Sequence, residues 1–187
     1  MPGAAAVSAR AAMPQAGVDM PGDIFESRGD LLVHRPSGMA FPSQVGLARR
    51  IGEKAFNETG DYVGVRYSIP LSDGAVARVQ IGMVALPGMT AREHYLSRRA
   101  IVVDRLVRAE PLTEAPLPEL DFDNFYGRFS DGHIAEGLIT AQFGDWGVRA
   151  ETEYPASRDA EAYKAIAGFL QALNWQPLRE RTASPAR

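Results

Sequence analysis

Three histidines, His34, His94 and His133, are the side chains best suited to proton transfer near neutral pH. None stands in a motif that would make it catalytic. His94 lies in the run Arg92 to Arg99 (REHYLSRR), which lacks the second histidine of a zinc-binding His-Glu-x-x-His helix. No Gly-x-Ser-x-Gly elbow marks a serine nucleophile. With no cysteine, thiolate catalysis, disulfides and Cys-ligated zinc or iron–sulfur sites are excluded. Asp121-Phe122-Asp123-Asn124 opens like a calcium loop, but Phe125 occupies a ligand position and Gly132 stands where the bidentate glutamate belongs. Asp131 and His133 could begin a divalent-metal set, yet two ligands do not complete one. Asp123, Asp131 and His133 therefore define one candidate site, a cleft near the 121–133 loop suited to a small ligand or weak hydrolysis. Neither glycine-rich phosphate-binding pattern occurs, so no nucleotide cofactor is expected. Asn57-Glu58-Thr59 fits a glycosylation sequon and reads more simply as a turn.

The second candidate is basic. Arg92, Arg98, Arg99, Arg105 and Arg108 share one amphipathic segment. One account pairs them with carboxylates of a neighbouring strand, such as Glu151 and Glu153; the other makes them a docking face for a protein partner with an acidic surface. Nucleic acid is not expected, because the formal net charge is −3 and no exposed aromatic is interleaved with these arginines as a base-stacking platform would need. A hydrophobic content of 45% and a charged content of 23% are those of a globular domain, and no apolar run approaches the ~20 residues of a membrane span. The first residues lack the basic start and apolar core of a secretory signal. As written the chain reads as cytoplasmic, or as periplasmic if a signal precedes it. Tyr62, Tyr67, Tyr95, Phe143, Trp146, Tyr154, Tyr163 and Trp175 could line a cleft, but their default role is to fill a core.

The elements that would position these groups follow from periodicity. His133 to Pro155 reads as two strands joined through Gly144-Asp145; in the second, Trp146, Val148, Ala150, Thr152 and Tyr154 alternate with Gly147, Arg149, Glu151 and Glu153. That pattern predicts a sheet with one dry side and one charged side. Tyr62 to Ile69 and Ala75 to Leu86 alternate likewise across Asp73-Gly74 and predict an antiparallel pair. Thr90 with Glu93 forms a capping box for a helix running to about Ala109, with Ala91, Tyr95, Val102, Val103 and Leu106 as its apolar stripe. The proline-rich Glu110 to Leu120 predicts an extended crossover, and Asn124 to Phe129 a strand. A closing helix over Arg158 to Asn174 presents Tyr163, Ile166, Ala167, Leu170 and Leu173. Hairpin links dominate, so the expected fold is α+β, a largely antiparallel sheet covered by two main helices. Residues 1–28 read as a disordered leader, 29–177 as a single domain, and 178–187 as a loose tail.

Phe41-Pro42, Gly46-Leu47-Ala48-Arg49, Gly64-Val65-Arg66-Tyr67, Trp146-Gly147-Val148-Arg149, Tyr154-Pro155 and Leu173-Asn174-Trp175 stand in an order that resembles a family of bacterial envelope-associated proteins of uncharacterised role. The layout is also similar to PsbP-like domains, over about Asp30 to Pro177. The resemblance implies a sheet sandwiched by helices and an accessory or binding role, with no catalytic residue carried over.

Overall fold

Strands patterned like Trp146 to Tyr154 must lay one face on an apolar core, and the computed structural model, which describes residues 24–106 and 109–183, shows how that core is closed. In chain order the strands are β1 (Phe25–Arg28), β2 (Leu31–His34), β3 (Ala40–Pro42), β4 (Gln44–Val45), β5 (Ala48–Ala55), β6 (Tyr62–Pro70), β7 (Val76–Ala85), β8 (Glu110–Ala115), β9 (Asn124–Ser130), β10 (Ile134–Phe143) and β11 (Trp146–Pro155). The helices are α1 (Ala91–Val103), α2 (Asp159–Ala172) and α3 (Gln176–Ala183). The fold is α+β: one eight-stranded sheet, ordered β4-β5-β6-β7-β11-β10-β9-β8, is antiparallel throughout, and β1-β2-β3 form a small antiparallel sheet beside it.

Two hairpins build the centre of the large sheet. β6 and β7 pair with Val65 opposite Ile81 and Tyr67 opposite Val79, and the left-handed backbone that their turn needs sits at Asp73 and Gly74. β10 and β11 close with Phe143 opposite Trp146, which leaves Gly144, at φ 57, to make the two-residue turn. The inward faces of these strands pack against α2 through Ala162, Ile166, Phe169 and Leu170. Trp175, just past that helix, stacks on Phe143 and donates its indole N–H to the Leu170 carbonyl at 2.8 Å.

α1 crosses the opposite face of the sheet. Thr90 Oγ1 accepts from the Glu93 amide and the Glu93 carboxylate accepts from the Thr90 amide, so the capping box is formed. Tyr95, Val102 and Leu106 pack on Phe129 and Leu138 as a second, smaller core. The helix stops at Val103, shorter than the expected Ala109, as the chain tightens into turns that carry Arg105 and Leu106 back over the sheet. Glu110–Ala115 is an edge strand paired with β9, and Pro111, which has no N–H to contribute, lies at a bulge in it. The folded unit extends beyond 29–177 at both ends. Ile24 and Phe25 are buried in the main core, and the final helix buries Leu178 there too, because these apolar side chains would otherwise meet water. Residues 1–23 of the expected leader lie outside the described residues.

Candidate functional site

The outward positions of four adjacent central strands fall into two rows. One runs Arg66, Gln80, Glu151, Leu138; the next runs Ser68, Arg78, Glu153, Glu136. α1 covers the β9–β10 end of this face, while β6 and β7 are left open. Where the two halves meet is a groove of about 230 Å³, walled by Arg105 on one side and by Ile51 and Arg66 on the other, with Gln80, Glu136, Glu151 and Glu153 along its floor.

Glu151 is the hub of this face. Its carboxylate accepts from Arg98 at 3.0 Å, Arg105 at 2.7 Å and Arg149 at 3.0 Å. Burial works against its ionised form, but Arg105, Arg98 and Arg149 outweigh it and hold the carboxyl below the usual glutamate range. Arg149 is 4% exposed and reaches over Gly82 to Tyr62, its guanidinium over the Tyr62 ring at 4.9 Å and donating to the Tyr62 hydroxyl. Gly82 makes that path possible: a Cβ there would stand 3.1 Å from Arg149 Nε. Glu136 is nearly as buried, yet its ion pair with Arg105 is longer, 3.5 Å. Burial, only partly offset by Arg105 and reinforced by Glu153 and Glu151, pushes its carboxyl up to about 7. His94, on α1, is buried against Gly147, and its Nδ1 has no hydrogen-bond partner among the described residues. Burial, with the Arg149 and Arg98 charges beside it, lowers its pKa to about 4, so the ring is neutral.

The arginines singled out in the sequence are thus distributed unequally. Arg98 and Arg105 face the sheet and are held by Glu151. Arg99 forms a two-pronged pair with Glu114, at 3.0 and 2.7 Å, and lies over the Phe129 ring. Arg92 points outward and has no ion pair among the described residues, and Arg108 lies outside them. Glu153 pairs with Arg78 and not with α1.

The loop candidates do not converge on a cleft. Asp131 Oδ1 accepts from the His133 and Ile134 amides at 2.9 Å each, which fixes the β9–β10 turn. His133 and Asp123 are exposed, and none of the three lines the groove above or the groove beside α2. Asp121 is paired with Arg179. No group of three or more His, Asp or Glu side chains among the described residues could hold a metal ion. His34 is a structural residue: Nδ1 meets Ser37 Oγ at 2.7 Å and Nε2 the Gly60 carbonyl at 2.9 Å.

Sequence reasoning missed Glu136, Arg66 and Arg78 as site residues. The available signal was the alternation itself, since Arg66 and Ser68 of β6, Arg78 and Gln80 of β7, and Arg149, Glu151 and Glu153 of β11 stand at alternate positions, and antiparallel pairing brings them side by side. Comparisons with protein-family models, curated proteins and solved structures found no match.

Proposed function

We propose that the chain is a non-enzymatic binding module that docks an acidic partner across the open half of the sheet, with the basic helix α1 as one wall of the site. The observation that carries this reading is the charge of the face. Five guanidinium groups, on Arg66, Arg78, Arg98, Arg105 and Arg149, meet only three carboxylates, on Glu136, Glu151 and Glu153. This excess of two positive charges sits on a chain whose formal net charge is −3, so the surface is sharply polarised. Arg98, Arg105 and Arg149 are held by Glu151 and set the field. Arg66 has no ion pair among the described residues and Arg78 has an exposed one, so these two are available to a partner's carboxylates. An accessory role is also what the resemblance to envelope-associated proteins implies. No observation favours ligand binding or hydrolysis at the 121–133 loop, where Asp131 serves its own turn.

The test is anisotropy of a labelled oligoglutamate peptide titrated with wild type and with an Arg66→Glu, Arg78→Glu variant across a salt series. Binding that weakens with salt in the wild type and is lost in the variant is the expected result. Both side chains are exposed, so setting a carboxylate opposite Glu153 should cost little, and a thermal melt of the variant checks that it is folded. Equal binding by the two proteins, or none by either, overturns the reading.

A further inference from the structure

The groove between α2 and the β4–β5 hairpin lies on the other face of the sheet from the arginine groove and has the opposite character. It encloses about 420 Å³, and its walls are apolar: Leu47 from the hairpin, Ile69 and Leu71 around the end of β6, and Ala165, Gly168 and Phe169 from α2. That volume falls in the range of small-molecule sites, about 300–1,000 Å³. Leu47 is 71% exposed at its mouth. Two ionisable side chains stand on the rim, and they are not equivalent. Glu161 is occupied, its two oxygens accepting from the Ser72 amide at 2.7 Å and the Ser72 hydroxyl at 2.6 Å. Lys164 makes no hydrogen bond or ion pair among the described residues. Among the described residues, then, the rim of this apolar slot carries one unpaired cation, Lys164.

Gly168 is informative in its own right. Glycine weakens a helix interior, and here a Cβ would meet nothing within 4 Å. Packing within the fold does not require glycine at this position; what its absent side chain does is leave the α2 wall of the groove open.

We propose that this groove binds a free medium-chain fatty acid, with its hydrocarbon chain laid between Leu47 and Gly168 and its carboxylate on Lys164. A single free cation matches a single anionic head, and the apolar walls match an unbranched chain. This site is independent of the docking face and stands whether or not an acidic partner binds there.

Calorimetric titration with decanoate and with decanol, below their aggregation concentrations, tests the assignment on the full chain. Wild type should bind both, decanoate more tightly. Lys164→Gln should weaken decanoate about fivefold, the scale of an exposed ion pair, and leave decanol unchanged. Gly168→Leu projects a side chain from the α2 wall into the groove and should abolish both titrations, while its melting temperature holds or rises because the new side chain enters open space. The proposal is overturned if wild type binds neither compound, if Gly168→Leu binds as wild type does, or if Lys164→Gln weakens both alike. Sedimentation closes the remaining route: a concentration-dependent dimer that Gly168→Leu disrupts would assign the groove to a second copy of the chain instead.

Discussion

Glu136 gives the most direct handle on the buried polar face. Its carboxyl sits at about 7 in the folded protein against an ordinary 4.5, because burial costs more than the 3.5 Å pair with Arg105 returns and because Glu153 and Glu151 lie alongside. A folded-state pKa raised above the unfolded one means that stability from holding the proton is fully present below 4.5. It is lost as pH rises through 7. The gap amounts to roughly 3 kcal/mol at about 1.4 kcal/mol per tenfold. That is a ceiling, since the Arg105 side chain is 43% exposed and water reaches this side of the pair. Glu136→Gln keeps the shape and removes the charge. At pH 5 the variant and wild type should unfold at nearly the same urea concentration; at pH 8 the variant should be the more stable by about 1–3 kcal/mol, with unchanged m. A variant that is less stable at pH 8 would refute the reasoning, because it would show that the attraction of Arg105 exceeds the cost of burial.

The neighbouring positions separate by burial in the same assay. Glu151→Gln strips the shared carboxylate from three arginines and should cost about 3–5 kcal/mol, whereas Glu153→Gln, paired only with the exposed Arg78, should stay within about 0.5 kcal/mol; equal losses would contradict the hub. His94 has its pKa lowered from 6.5 to about 4, so the stability that it lends is present above 6.5 and lost as pH falls through 4. His94→Leu should flatten that acid limb, and an unchanged slope would show that the ring is not held neutral by burial. Gly127→Ala would drive a Cβ to within 1.9 Å of the Tyr95 hydroxyl and should cost about 1–3 kcal/mol. Adding Tyr95→Leu should recover part of that loss, and failure to do so would place the strain elsewhere.

The sheet was legible because its signals are local and agree with one another. Val63, Val65, Tyr67 and Ile69 alternate over a full strand, Asp73-Gly74 and Gly144-Asp145 supply the turns, and Thr90 with Glu93 starts α1. Where those signals were absent, the reading faltered. Val45, Leu47, Arg49 and Ile51 stand at every second position as in a strand, but Gly46 turns the chain at φ 57 and leaves Leu47 exposed. Glu110 to Ala115 carries no alternation, and only β9 beside it makes a strand of it. The short β1 and α3 are held by burying Phe25 and Leu178 against distant elements, which no window of neighbouring residues encodes.

The site was harder to read for a different reason. Charges at alternate positions of a strand predict a wet face, and Arg149 and Glu151 fit that pattern, yet α1 folds down over them and removes them from water. An arginine-rich helix fits either an outward docking face or pairing with strand carboxylates, and Arg98 and Arg105 turn inward because Glu151, buried beneath them beside Arg149, needs that neutralisation. Sequence supplies both halves of that pairing and not the crossing that joins them. The practical consequence concerns which variants can test docking. Reversing Arg98 and Arg105 would set two more carboxylates against Glu151 and Glu136 and would report on folding alone. Reversing Arg66 changes the exposed field while leaving the Glu151 hub intact, so a loss of binding there can be assigned to the surface itself.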